Sequence, residues 1–405
     1  MGANLLLSLK SAMDFLEILF PEGNFIILWN CVSLRKFFDM SGSKRIVFLD
    51  YVRVFACFLV MLVHASENFY PGPGSTDMAG PQAVLANETD RICVSVYDGF
   101  SRMSVPLFII VSAFLLVPMR QGESMGAFYR KRFSKTLPPF IFFAVVYSVL
   151  PLLWGQTDSS TMLSDLAHIP LNFPSLAGHL WFMFPLFGLY LFIPVISPWI
   201  EKAGKKEEGI FIILFLISTC IPYLNRWVGD VWGQCFWNQY HLLWYFSGYL
   251  GYLVLAHYIR VHLDWSRRKK LTVGAVLTVL GAVATILSFY VQAVPGIVHS
   301  TPELEIGWSF CTINVVCLTA GAFLMFSCIE SDSAPALLTR LSKLSFGMYL
   351  VHVLWLHLWS VVAIRMLAIP TAAAIPFIAV CTFVCSALTM ELLSHIPGSR
   401  WFVGV

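Results

Sequence analysis

Residues 48–64 read Phe48-Leu49-Asp50-Tyr51-Val52-Arg53-Val54-Phe55-Ala56-Cys57-Phe58-Leu59-Val60-Met61-Leu62-Val63-His64. An apolar stretch of about 20 residues crosses the hydrocarbon core of a bilayer as helix, and the run 46–66 is long enough for one crossing. Within it Arg53 and His64 are eleven residues apart. That is three helical turns plus about 20°, so both project from one face, separated by roughly 16 Å along the axis. Asp50, three residues before Arg53, shares the face. Ionisable groups inside a span are costly and are functional candidates by default. The stripe therefore reads as the wall of a hydrophilic passage. A blander reading stands beside it: Asp50 and Arg53 form an interfacial ion pair with Arg53 snorkelling, and His64 rests at the outer interface.

Composition extends this reading to the whole chain. Of 405 residues, 58% are hydrophobic and 12% charged, against about a quarter charged in soluble domains. A water-soluble fold cannot hide that much apolar surface. Apolar runs fall at 46–66, 99–118, 138–154, 180–198, 209–224, 238–257, 271–292, 307–328, 344–363 and 370–394, separated by Gly, Pro, Asn or clustered charge. The fold class is an all-α integral membrane protein, a polytopic bundle of about ten transmembrane helices.

Orientation follows from Lys and Arg, which resist translocation. One alternating set of loops (41–45, 119–137, 199–208, 258–270, 329–343, 395–405) holds eighteen of them, and the other holds three, Arg91, Arg226 and Arg365. The split places the N- and C-termini of the helical unit in the cytoplasm. The net charge of +3 then reflects topology and gives no reason to invoke nucleic acid. Residues 1–40 read as an N-terminal extension, either peripheral and amphipathic or upstream of a start at Met40; residues 41–405 form the membrane domain.

Most of the ten cysteines lie in apolar runs and behave as small hydrophobes. Cys93 and Cys235 both fall on the outer side, where one bridge is conceivable. No CxxC or His-rich spacing recommends a metal, so none is expected. Asn87-Glu88-Thr89 is a glycosylation sequon that matters only in a eukaryotic secretory host.

The motif Arg53-x10-His64, preceded by Leu49-Asp50, resembles the first-helix signature of the acyltransferase 3 family of membrane O-acyltransferases. Val105-Pro106-Leu107-Phe108-Ile109-Ile110-Val111-Ser112 resembles the second-helix motif, with Ala113 where glycine is usual. Phe128 to Pro138 resembles the cytoplasmic Arg-x-x-Arg segment, with Lys135 in place of the second arginine, which keeps the charge but loses the bidentate fork. His179-Leu180-Trp181-Phe182, Leu189-Tyr190, Pro194 and Leu344 to His352 continue the likeness in order.

The resemblance implies transfer of an acyl group, acetyl by default, from cytoplasmic acyl-coenzyme A to a hydroxyl of a cell-surface glycan or small acceptor, in the cell (inner) membrane. His64 is then the general base, with an acyl-imidazole left open as a second route. Arg53, oriented by Asp50, contacts the thioester oxygen or the pantetheine. Arg130, Arg132 and Lys135, together with Lys131, meet the coenzyme phosphates, although the same charges satisfy the positive-inside rule alone. Ser112 is placed with the donor site, although an intramembrane serine more commonly bonds its own helix. Arg102, His179 and Trp181 are acceptor-side candidates, and Trp181 also suits an interface anchor. His352 reads as a packing polar group in the cytoplasmic half, and Glu303 and Glu305 as solvated loop acids. A homodimer is left open. The competing class is a transporter or flippase for a glycan or lipid-linked sugar, which shows neither internal repeats nor paired broken helices here.

Overall fold

Lipid offers no partner for a backbone N–H or C=O, so each apolar run must close its own hydrogen bonds as helix. The structure, a computed structural model, describes residues 45–70, 80–153 and 155–404; the expectations for residues 1–40 lie outside them. In chain order the helices are α1 (Val47–Glu67), α2 (Glu88–Ser101), α3 (Ser104–Leu116), α4 (Met125–Leu153), α5 (Ser159–His168), α6 (Met183–Lys202), α7 (Lys205–Ser218), α8 (Ile221–Val228), α9 (Leu250–Val261), α10 (Arg267–Gln292), α11 (Ile313–Phe326), α12 (Ala336–Ser360) and α13 (Thr371–His395). Two-residue strands β1 (Gln82–Ala83) and β2 (His299–Ser300) pair antiparallel, with Gln82 opposite Ser300.

Among the described residues nine helices are long and apolar enough to cross a membrane: α1, α2 with α3, α4, α6 with its leading turn, α7 with α8, α10, α11 with its leading turn, α12 with its final turn, and α13. The chain is an all-α, multi-pass membrane protein. The tenth expected run, 238–257, yields only α9, which at 12 residues is too short to span alone. Gly229, Gly233 and Gly248, and also Trp232, hold positive φ in the loop before it, a conformation that cannot continue a right-handed helix.

Two other boundaries move. The second span begins at Glu88 and breaks at Arg102–Met103, so its first half, which carries Asp90, Arg91 and Asp98, is helix where the sequence suggested loop. Asn87 of the sequon is the cap of α2, its side-chain oxygen accepting from the Asp90 N–H at 2.9 Å. α4 begins at Met125, ahead of its apolar run, so the basic cluster rides on a helix and not in a loop.

Among the described residues, contacts divide the chain into two compact units, a smaller one within 140–181 and a larger one within 47–139 and 182–404. In the smaller one, Asp158 caps α5 by accepting from Thr161 N–H at 2.7 Å, and the Tyr147 and His179 rings meet edge-on at 4.7 Å.

In the larger unit α1 packs against α2, α3, α12 and α13, and Phe48, Phe114 and Phe323 interlock edge-on or tilted with centroids 5.6–5.7 Å apart. α10 and α11 touch backbone to backbone. A Cβ on Gly281 would lie 2.5 Å from the Leu318 nitrogen, and one on Gly321 2.6 Å from the Gly274 oxygen. Small residues permit this approach, which replaces the hydrophobic driving force that is absent between helices in lipid. Asn314 adds a cross-helix bond, donating to Thr285 Oγ1 at 2.8 Å. The opposite side of α10 exposes Val276, Val279, Leu280, Val283 and Leu287, a face suited to lipid. Cys93 and Cys235 are both free thiols, so the conceivable bridge is not made.

Candidate active site

Near the C-terminal end of α1, His64 Nδ1 lies 2.6 Å from Glu67 Oε2. The two are three residues apart and therefore on one helix face. Toward a carboxylate the nitrogen must donate, which puts the proton on Nδ1 and leaves the lone pair on Nε2. Each side chain is 14% exposed, so the imidazole is sheltered yet reachable. Behind it stacks the His352 ring, with centroids 5.2 Å apart and planes inclined by 27°. His352 is fully buried and its Nδ1 donates to the Tyr349 carbonyl at 2.6 Å.

His352 is thus level with His64, in the same half of the bundle and not at the opposite end from it. α12 starts at Ala336, eight residues before the apolar run that marked it in the sequence, which carries residue 352 past the middle of the helix.

The Glu67 carboxylate leads on to Arg102, at 3.8 Å. Arg102 sits where the second span breaks, and is buried. It grips Asp98 with two bonds of 2.6 and 2.9 Å and Glu305 with two of 2.9 and 3.5 Å, and its guanidinium lies 4.5 Å from the Trp308 ring centroid. Tyr70 donates to Glu305 at 2.9 Å and lies 3.2 Å from Asp98. The β1–β2 pair assembles this end: Tyr70 O accepts from Val84 N–H beside β1 at 2.6 Å, and Glu305 follows β2 by one helical turn. Glu305 is therefore no solvated loop acid, whereas Glu303 is exposed.

Three carboxyls, Glu67, Asp98 and Glu305, face one guanidinium. A buried excess of negative charge is disfavoured, so the three carboxyls depend on Arg102 and on the hydrogen bonds around it. Outside the spans the directions agree. Burial, opposed by Arg102, raises the Glu305 carboxyl above the usual range, and burial beside the carboxylates Glu305 and Asp98 pushes the Tyr70 phenol up.

The N-terminal end of α1 is built differently. Asp50 is buried and its Oδ1 accepts from Ser342 Oγ of α12 at 2.6 Å, while Arg53 stands 3.9 Å from it with a third of its side chain exposed. The expected ion pair is present but loose, and Ser342 is the closer partner. Phe133 of α4 meets the Tyr190 ring of α6 edge-on at 6.3 Å, and Tyr190 lies within electrostatic range of both Arg53 and Arg132. Arg132 lies 5.5 Å from the Phe128 ring centroid, Lys131 lies 4.0 Å from Glu123, and Arg130 and Lys135 are exposed. Ser112 is half-buried on α3.

The fold thus joins His64 to Arg102 through Glu67, and leaves Arg53 and Arg132 within electrostatic range of Tyr190. His179 and Trp181 belong to the smaller unit. The sequence reading passed over Glu67, Asp98 and Tyr70 and gave His352 and Glu305 minor parts. The pairs His64/Glu67 and Asp98/Arg102 carried a usable signal in their i,i+3 and i,i+4 spacing; Glu305 and Tyr70 carried none.

A family sequence model described as an acyltransferase domain matches residues 46–391. A Bacillus subtilis (strain 168) protein, YfiQ, provisionally named a membrane-bound acyltransferase, is 23% identical over 313 residues, covering 74% of this chain and 81% of the relative. No solved structure matches.

Proposed function

The chain belongs to the acyltransferase 3 family of polytopic membrane acyltransferases, and on that premise we propose that it moves an acyl group, acetyl in the first instance, from cytoplasmic acyl-coenzyme A to a hydroxyl of a cell-surface glycan or its precursor. The observation that carries the catalytic reading is the 2.6 Å contact between His64 Nδ1 and Glu67, which leaves Nε2 free to accept a proton.

In the proposed step Nε2 takes the acceptor hydroxyl's proton as that oxygen bonds to the thioester carbonyl carbon. The C–S bond breaks, coenzyme A leaves as thiolate, and the imidazolium returns the proton to it. The Glu67 carboxylate holds the ring in the useful tautomer and stabilises the imidazolium, while Arg102, itself gripped by Asp98, fixes Glu67 from behind. His352 supports the ring by stacking and acts as a positioning residue.

Donor recognition is assigned to the other end of α1. Exposed Arg130 and Lys135 suit phosphate groups, and Arg132 Nε is a buried donor with no hydrogen-bond acceptor among the described residues, as expected of a group that waits for an anion. Arg53, a third exposed, is assigned to the pantetheine arm, steadied by Asp50, since the thioester itself must lie beside His64. Ser112 is assigned to the same donor side, and Arg102, His179 and Trp181 to the acceptor. The eighteen-to-three Lys/Arg split supports a cytoplasmic position for the α4 cluster.

The test is transfer of labelled acetyl from acetyl-coenzyme A by purified protein, together with mass spectrometry of surface glycans from cells with and without it. Loss of transfer in a folded His64→Ala variant is the expected outcome. Full activity in that variant would remove His64 as the base, and substrate flux without acyl consumption would favour transport.

A further inference from the structure

A second buried polar cluster lies apart from the proposed reaction path. Glu208 opens α7, and His257 and His262 stand at the close of α9, 49 and 54 residues further on. That separation is why spacing recommended no metal. Glu208 Oε1 is 2.9 Å from His257 Nδ1 and 3.2 Å from His262 Nε2, and the three donor atoms all lie within 4.8 Å of one another. Imidazole nitrogens and carboxylate oxygens bound tetrahedrally to zinc at about 2.0–2.1 Å stand roughly 3.3 Å apart, close to the spacing seen here.

A second observation comes from the same carboxylate. Glu208 is fully buried, and its other oxygen, Oε2, has no hydrogen-bond partner among the described residues. Two hydrogen bonds from the imidazoles would account for Oε1 alone. Leaving the remaining oxygen of a buried carboxylate unsatisfied costs free energy, and a cation shared by both carboxylate oxygens removes that cost. The acidic trio Glu67, Asp98 and Glu305 is not comparable, because the Arg102 guanidinium already supplies its cation.

The geometry points to a divalent transition-metal site, of zinc type, formed by Glu208, His257 and His262. Two neutral imidazoles and one carboxylate suit such an ion, and with three protein ligands a water would complete the tetrahedron. The ion ties the first turn of α7 to the last turn of α9. Arg260 in that same turn donates to the Phe114 and Val117 carbonyls at the end of α3, so the clamp steadies three helix ends. Its part is structural and independent of the acyl-transfer reading.

The experiment uses the full chain, purified in detergent through a tag without histidine. Elemental analysis is expected to find about one zinc equivalent per chain, and cobalt added after chelation should give the visible absorption of a tetrahedral site. The thermal midpoint of the stripped protein should rise on zinc addition. Metal content should fall to about a tenth or less in His257→Ala and His262→Ala and drop in Glu208→Gln. If the wild-type protein holds no stoichiometric metal and neither zinc nor cobalt changes midpoint or spectrum, Glu208 merely accepts two hydrogen bonds and the site does not exist. Unchanged metal content in folded variants would equally overturn it. Should the variants fail to fold, the wild-type stoichiometry and cobalt spectrum decide alone.

Discussion

At the scale of single residues, the side chains that matter are those the bilayer makes expensive, and the fold gives most of them a partner. His64 is held by Glu67, and Glu67→Gln should therefore lower kcat by on the order of 10² to 10⁴ while leaving the KM for acyl-coenzyme A nearly unchanged. Steady-state kinetics on the purified variant check this, and an equal loss in KM would assign Glu67 to binding. Glu305 carries a pH signature. Burial holds its carboxyl above the ordinary glutamate range against the pull of Arg102, so the folded state binds that proton more tightly than the unfolded chain does. The resulting stabilisation is complete below the ordinary value of about 4.3 and is lost as pH rises through the raised one. Across that window the thermal midpoint should decline with rising pH more steeply in the wild type than in Glu305→Gln; parallel curves would assign the dependence to another group.

At the scale of elements, packing between helices rests on close backbone approach. Gly281→Val would place a branched side chain where a Cβ alone already falls 2.5 Å from the Leu318 nitrogen, and forcing the helices apart should cost about 1–3 kcal/mol. Unfolding in detergent reads this directly, with Val279→Ala on the exposed face of α10 as a control that should change little. Hydropathy found the existence of each crossing but misjudged several ends. Polar first turns such as those of α2, α4 and α12 are invisible to it, because they extend past the lipid and need no apolar residues. The stretches that hydropathy left out of these helices carry Asp98, the Arg132 cluster and the register of His352. The break at Arg102 is likewise unseen, since an ion pair on the inner face allows a charged residue to occupy an otherwise apolar span.

At the scale of the whole molecule, the charge asymmetry predicts which side each loop faces. Cys235, half-exposed in the loop before α9, should react with a membrane-impermeant maleimide on intact cells and lose that reaction in Cys235→Ser. A cysteine at Lys206, across the α7–α8 span from Cys235 in the same background, should label only after permeabilisation. The reverse pattern would invert the topology and place the α4 cluster on the acceptor side. By itself the sequence determined that the chain is an all-α, multi-pass membrane protein, how its charges alternate, and which family its ordered motifs resemble. These are properties of local composition and order, set by what lipid tolerates. Only the tertiary structure decided that His64 meets Glu67 and His352, that Arg102 gathers Asp98 and Glu305, and that Glu208 meets two histidines about fifty residues away. Such pairings depend on register and crossing geometry between helices, and an apolar run carries almost no information about which turn of its neighbour it will face.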